Sequence, residues 1–223
     1  MSATAAAAPR RAEPPAQLDL YRDDGPFARA LGRAVGRSLP VPSLALGLAA
    51  AVPLFALLAA AGAQASRAAL GAALAWGVLA GGASSGRPHG GRLAWLVPPT
   101  VRALEYASVL GIAAVAGRSS LPGAFALLCT VAFRHYELVY GLRYRGEATP
   151  AWVGVLGGGW EGRAIAAYVL LLADALPAGF FVLAIVLGAA FVGQSAVAWG
   201  RFSRTQRPAA YEEQDEEMEE EGQ

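Results

Sequence analysis

The chain has 223 residues, 55% of them hydrophobic and 16% charged, with a formal net charge of +1. A water-soluble domain of this length scatters charges over every exposed helix face, whereas the runs 41–62 and 177–198 carry none and have no solvated face. This excludes an ordinary soluble domain and points to an all-α, polytopic transmembrane helical bundle.

All 18 basic residues are arginine, asparagine is absent and there are three isoleucines, the signature of a GC-rich genome. An arginine here therefore carries no special claim over lysine for its forked geometry. Eight of the 17 acids lie between Glu212 and Glu221, so the rest of the chain is basic. Cys129, the sole cysteine, sits in an apolar run. It excludes internal disulfides and cysteine metal sites, and reads as a small buried apolar residue. Neither a metal site nor any other cofactor is expected, and no nucleic-acid partner.

In chain order, residues 1–22 are Ala/Pro-rich without the apolar core of a cleavable signal and are expected to form a disordered cytoplasmic tail. Residues 23–40 read as a basic amphipathic juxtamembrane segment on the inner leaflet. A span needs about 20 apolar residues to cross about 30 Å of hydrocarbon. The first candidate is Val41 to Gly62, with Pro53 a potential kink, and the second is Ala68 to Ser84, short and rich in small residues. A Gly/Pro/Arg loop follows, then Val101 to Gly117 and Leu121 to Tyr140. Residues 141–162 form a polar, glycine-rich connection. The last apolar stretch, Ala164 to Trp199, is long enough for two short spans, with Asp174 and Pro177 supplying the break. Residues 41–200 thus form a six-span domain, and 201–223 a basic and then acidic disordered tail. With both termini in the cytoplasm, 16 of the 18 arginines lie inside and only Arg67 and Arg118 outside. A five-span count breaks that bias. The expected location is the plasma membrane.

The ionisable residues in and beside the spans gather at the cytoplasmic end. Arg102, Glu105 and Tyr106 open the third span, Arg134, His135, Glu137 and Tyr140 close the fourth with Arg143 just beyond, and Trp160, Glu161 and Arg163 open the fifth. Charges at membrane depth are costly and normally face a bundle interior or a watery cavity. One reading is a pocket for a phosphate or pyrophosphate headgroup; the other is Arg102–Glu105 and Arg134–Glu137 ion pairs along single helices, snorkelling to the headgroups. The segment 150–163, with five glycines just before the fifth span, is either an anion-holding loop or an interfacial re-entry pinned by Trp152 and Trp160. It lacks the Lys-Ser/Thr of a Walker A loop.

Asp24-Gly25-Pro26-Phe27-Ala28-Arg29 fits the opening of the CDP-alcohol phosphatidyltransferase signature, but Ser38, Pro42 and Leu46 stand where its glycine and two aspartates belong. The match reads as coincidence. By contrast, Arg102-Ala-Leu-Glu-Tyr106, Phe133-Arg-His-Tyr-Glu-Leu-Val-Tyr140, Pro150-Ala-Trp-Val-Gly154 and Gly159-Trp-Glu-Gly-Arg163 resemble an uncharacterised actinobacterial membrane domain. That domain is fused behind a nucleotidyltransferase and a CDP-alcohol phosphatidyltransferase in larger proteins, and the likeness spans roughly residues 93 to 175. The resemblance implies a link to phospholipid synthesis without a catalytic role of its own. The expected function is an accessory protein holding an anionic lipid, or its nucleotide-activated precursor, through Arg102, Arg134, Arg143 and Arg163, beside a lipid-synthesis enzyme. The alternatives are a headgroup transferase using Glu105, His135 or Glu161 as base, and a small transporter.

Overall fold

The computed structural model describes residues 18–85, 87, 92–146 and 148–221. Most of the expected N-terminal tail and much of the Gly/Pro/Arg loop fall outside them. Within them the chain is all-helical, without a strand. A 3₁₀ turn at Leu18–Tyr21 leads into α1 (Pro26–Val35), α2 (Ser43–Ala61), α3 (Arg67–Ala83), α4 (Val97–Ala116) and α5 (Leu121–Tyr140). Beyond these lie α6 (Ala151–Leu156), α7 (Gly159–Leu172) and α8 (Leu176–Glu221). Among the described residues, three stretches are long and apolar enough to cross a membrane: Ser43–Gln64, Ala151–Leu172 and Leu176–Arg204. Helix α3 is apolar but short at 17 residues. Helices α4 and α5 reach 20 residues each but carry charge near one end.

Local chemistry sets the boundaries. Ser66 caps α3 by accepting from the Ala69 amide, and prolines occupy the first turns of α4, α5 and α8, where no amide partner is lost. The apolar run after residue 163 breaks where expected. Asp174 adopts a left-handed backbone (φ 53°) and Pro177 restarts the helix as α8. The exposed Arg67–Asp174 pair (2.6 Å) links that turn to the start of α3.

Helix α4 is the centre, touching α2, α3, α5 and α7, while α8 lies along α5. Its partners approach closely through small residues: a side chain at Gly77 or Gly81 would meet Leu104 of α4 or Trp160 of α7. Leu54, Leu70, Leu104, Ile112, Leu127 and Phe180 are wholly buried between the helices.

Three expectations change. Leu18–Tyr21 is ordered and Arg22 is fully buried, so the end of the supposed tail belongs to the fold. Helix α8 runs on through 201–221, a stretch rich in Glu, Gln, Arg and Ala, all good helix formers. Cys129 is exposed, because it follows Leu121 and Phe125 at i+4 spacing along the outer face of α5. In intact membranes it should react with an apolar maleimide and resist a charged, membrane-impermeant one; labelling by the charged reagent would place that face of α5 against water.

Candidate functional site

The polar residues of α4, α5 and α7 do converge at one end of the bundle, but the element that organises them is the segment before α1. Arg22 is buried against the end of α3. It donates to both carboxylate oxygens of Asp24 (2.7 and 3.2 Å), to the Ser84 hydroxyl (2.9 Å) and to the Gly81 carbonyl (3.0 Å). Asp24 also accepts from the Trp160 indole (2.9 Å). Trp160, placed in the predicted site and in the alternative reading an interfacial anchor, is 1% exposed.

Asp23, in a left-handed backbone (φ 54°), turns its carboxylate into the bundle. One oxygen accepts from Arg134 Nη2 (3.0 Å) and Nε (3.3 Å), the other from Arg163 Nη2 (2.8 Å). Burial works to raise its pKa, but Arg163 and then Arg134 outweigh that and hold the carboxyl below the usual carboxylate range.

Gly25 leaves α1 without a capping side chain, and Glu161 of α7 fills the gap by accepting from the Gly25 and Ala28 amides, both at 3.0 Å. The approach is backbone to backbone. A β-carbon at Gly25 would overlap the Gly158 carbonyl, and one at Gly159 the Gly25 amide nitrogen. Gly158 and Gly159 both have positive φ, which admits glycine without strain. The amide at the head of α7 that an anion loop would present, that of Trp160, donates to the Asp23 carbonyl (3.2 Å). The glycine-rich turn therefore packs against the chain's own N-terminal segment.

Deeper in, Arg163 Nε donates to Glu105 Oε1 (2.5 Å), and Glu105 Oε2 lies 3.3 Å from His135 Nε2. His135 Nδ1 meets the Tyr106 hydroxyl at 2.9 Å. Arg102 donates to the Tyr21 carbonyl (3.1 Å). Four arginines (22, 102, 134 and 163) thus share the cluster with four carboxylates (23, 24, 105 and 161), and Arg134 and Arg163 spend their charge on Asp23 and Glu105.

The i, i+3 ion pairs give way to others: Arg134 goes to Asp23 and Glu105 to Arg163 across the fold, while Glu137 accepts from Arg145 (3.0 Å) in the π-helical turn Gly141–Arg145 that continues α5. Three predicted residues stand apart from the cluster, Glu137 with its partner Arg145 being the first. Tyr140 stacks between Tyr136 and Tyr144 and touches Trp199 of α8, and Arg143 is exposed. Arg22, Asp23 and Asp24 were absent from the predicted site; Asp24 drew notice only through the signature match read as coincidence.

Beside this cluster opens a cavity of about 560 Å³, walled by the N-terminal segment, the end of α5 and residues 148–155. Leu20, Leu138, Leu142, Pro150 and Val155 give it apolar walls, and Arg134 reaches it while donating to Thr149 (3.1 Å). Arg29 and Arg33 of α1 also line it. Both are exposed, and their Nε atoms donate to main-chain carbonyls, those of Gly25 and Arg29. The lining does not include Glu105, His135 or Glu161.

Helix α1 thus has three faces. Ala28, Gly32 and Gly36 pack on the end of α3, where a β-carbon at Gly32 would overlap the Ser85 carbonyl. Arg29 and Arg33 border the cavity, and Phe27 and Val35 are exposed apolar residues. Helix α1 lies within the segment expected to be amphipathic, and its Ala28–Gly32 face is fixed to the bundle.

No curated protein and no solved structure matches this chain. A family model described as a family of unknown function, DUF5941, matches residues 12–218, and the chain belongs to that family.

Proposed function

We propose that this is a six-span protein of the plasma membrane, with both termini in the cytoplasm, that holds an anionic lipid or its nucleotide-activated precursor at the cytoplasmic face. It would act as an accessory to an enzyme of phospholipid synthesis. The one-sided arginines favour that topology, and the three stretches able to cross a membrane support residence in one.

The observation that carries the reading is the cavity of about 560 Å³, where Asp23 and Asp24 in the lining are met by Arg22, Arg134 and Arg163 while Arg29 and Arg33 have no carboxylate partner among the described contacts. Such a lining suits an amphiphile with a phosphate at one end. The anion-holding role therefore moves from Arg134 and Arg163, whose charges are already met, to Arg29 and Arg33.

The expected result is that Arg29→Ala/Arg33→Ala binds phosphatidic acid at least about tenfold more weakly than wild type, with little change toward phosphatidylcholine. Equal affinity of the double variant and wild type for phosphatidic acid in detergent solution would rule out this site. The transferase alternative would be favoured by turnover of a CDP-linked lipid that depends on His135.

A further inference from the structure

The charges around the cavity do not cancel. Among the described residues, the four arginines and four carboxylates of the buried cluster balance one another, and Asp23, Asp24 and Arg134 face the cavity from within that balanced set. Arg29 and Arg33 are surplus to it, two positive charges one helical turn apart on α1. Their Nε–H groups are taken by main-chain carbonyls, which leaves the Nη groups to a ligand. Arg29 reaches across to α6, where its Nη2 lies 3.1 Å from the place that a β-carbon on Gly154 would occupy.

Away from these charges the lining is mostly aliphatic, with Leu20, Pro26, Leu138, Leu142, Pro150 and Val155, and it includes no aromatic ring. A nucleobase is ordinarily held by stacking on a ring, and this lining supplies none. The rings at this end of the bundle lie on the other side of α5. Tyr136, Tyr140 and Tyr144 follow one another at i+4 spacing, opposite Leu138 and Leu142, and Tyr140 touches Trp199 of α8. Tyr136 and Tyr144 are exposed there. Exposed tyrosine at a span end belongs to the headgroup layer, so the cavity beside the same turns of α5 lies at the depth of lipid phosphates.

We propose that the cavity holds a bilayer phospholipid whose headgroup is a phosphate monoester with no nucleotide attached; the proposal rests on the reading of Arg29 and Arg33 as headgroup ligands. A monoester carries about 1.5 to 2 negative charges near neutral pH, which two guanidinium groups match. A diester headgroup such as phosphatidylglycerol carries a single charge and leaves one arginine unanswered. A CDP-linked lipid brings enough charge, but its base finds no ring to stack on.

The test uses the full-length protein in detergent at about pH 8, where the monoester carries its second charge. The probes are dioleoyl lipids that differ only in headgroup, with retention read by native mass spectrometry. Phosphatidic acid is expected to be retained at least about fivefold more tightly than phosphatidylglycerol, the gain from one further charge beside a partly solvated pair. It is also expected to outlast CDP-dioleoylglycerol. Arg33→Ala, at an exposed site of α1, is expected to remove most of the preference for phosphatidic acid over phosphatidylglycerol. Equal retention of those two lipids by wild type overturns the monoester assignment, and CDP-dioleoylglycerol held as tightly as phosphatidic acid overturns the exclusion of a nucleotide. Glycerol 3-phosphate that displaces phosphatidic acid at equal concentration makes the ligand a soluble phosphate and overturns the bilayer source. Phosphatidic acid retention that ignores Arg29→Ala/Arg33→Ala overturns the headgroup reading of the arginines instead.

Discussion

Asp23→Asn is expected to destabilise the protein by about 3–5 kcal/mol, the usual cost of removing one partner of a buried ion pair and leaving the other charge unmet. Asparagine tolerates the left-handed backbone of Asp23 and keeps its shape, so the substitution isolates the charge. Arg134 and Arg163, 4% and 2% exposed at their side chains, would each lose the carboxylate they share. Thermal unfolding in detergent checks this, and a variant that melts with wild type would show that the cluster contributes nothing through Asp23. Replacing Arg134 by methionine in the same background should recover part of the loss, because the pair then leaves together.

The pH dependence has a definite sign. The Asp23 carboxyl is held below its unfolded value of about 3.9, so its contribution is complete above about pH 4 and is lost as the pH falls through the lower folded value. Wild type and Asp23→Asn should therefore converge in stability under acid. A difference that persisted unchanged to pH 2 would place the cost of the substitution elsewhere.

What was legible in the sequence follows from which forces are local. Apolar runs and helix breakers are local, and they located the helices up to Tyr140 and the break at Asp174 and Pro177; residues 141–162, expected as a connection, instead hold a π-helical turn, α6 and the start of α7, because glycines there stand inside helices as well as between them. The one-sided clustering of Arg102, Glu105, Arg134, His135, Glu161 and Arg163 was legible too, because each stands near the end of an apolar run. Pairing was not. An i, i+3 spacing offers Arg134 a partner in Glu137, and nothing local announces that Asp23, 111 residues away, will take it. The interfacial reading of Trp160 failed for a related reason: tryptophan near a span end is ordinarily an interfacial anchor, and only the docking of Asp24 over the α7 start buries this one. Composition gave the direction of Cys129 no weight, since an outward residue of a membrane helix is as apolar as an inward one.

The contact that assembles the site, Gly25 against the Gly158–Gly159 turn, yields the most disruptive single substitution. Gly159→Ala meets two penalties. Its φ of 65° costs an ordinary residue about 1–2 kcal/mol, and its methyl group would overlap the main chain of Asp24 and Gly25, which cannot swing aside as a flexible side chain can. The N-terminal segment must move, and with it go the Asp23 bridge, the Glu161 cap on α1 and the position of Arg29. Trypsin is the direct probe, since Arg22 is fully buried in the native protein. Cleavage after Arg22 should be slow in wild type and at least about tenfold faster in Gly159→Ala, in line with an opening made easier by about 1.4 kcal/mol or more. Phosphatidic acid binding should weaken with it. Gly162→Ala is the matched control, three residues further along α7, with nothing near its added methyl group and alanine the better helix former. It should resist trypsin as well as wild type does. Equal protection of Gly159→Ala and Gly162→Ala would mean that the segment is held without the glycine contact, and that the cluster at Asp23 alone keeps α1 over the cavity.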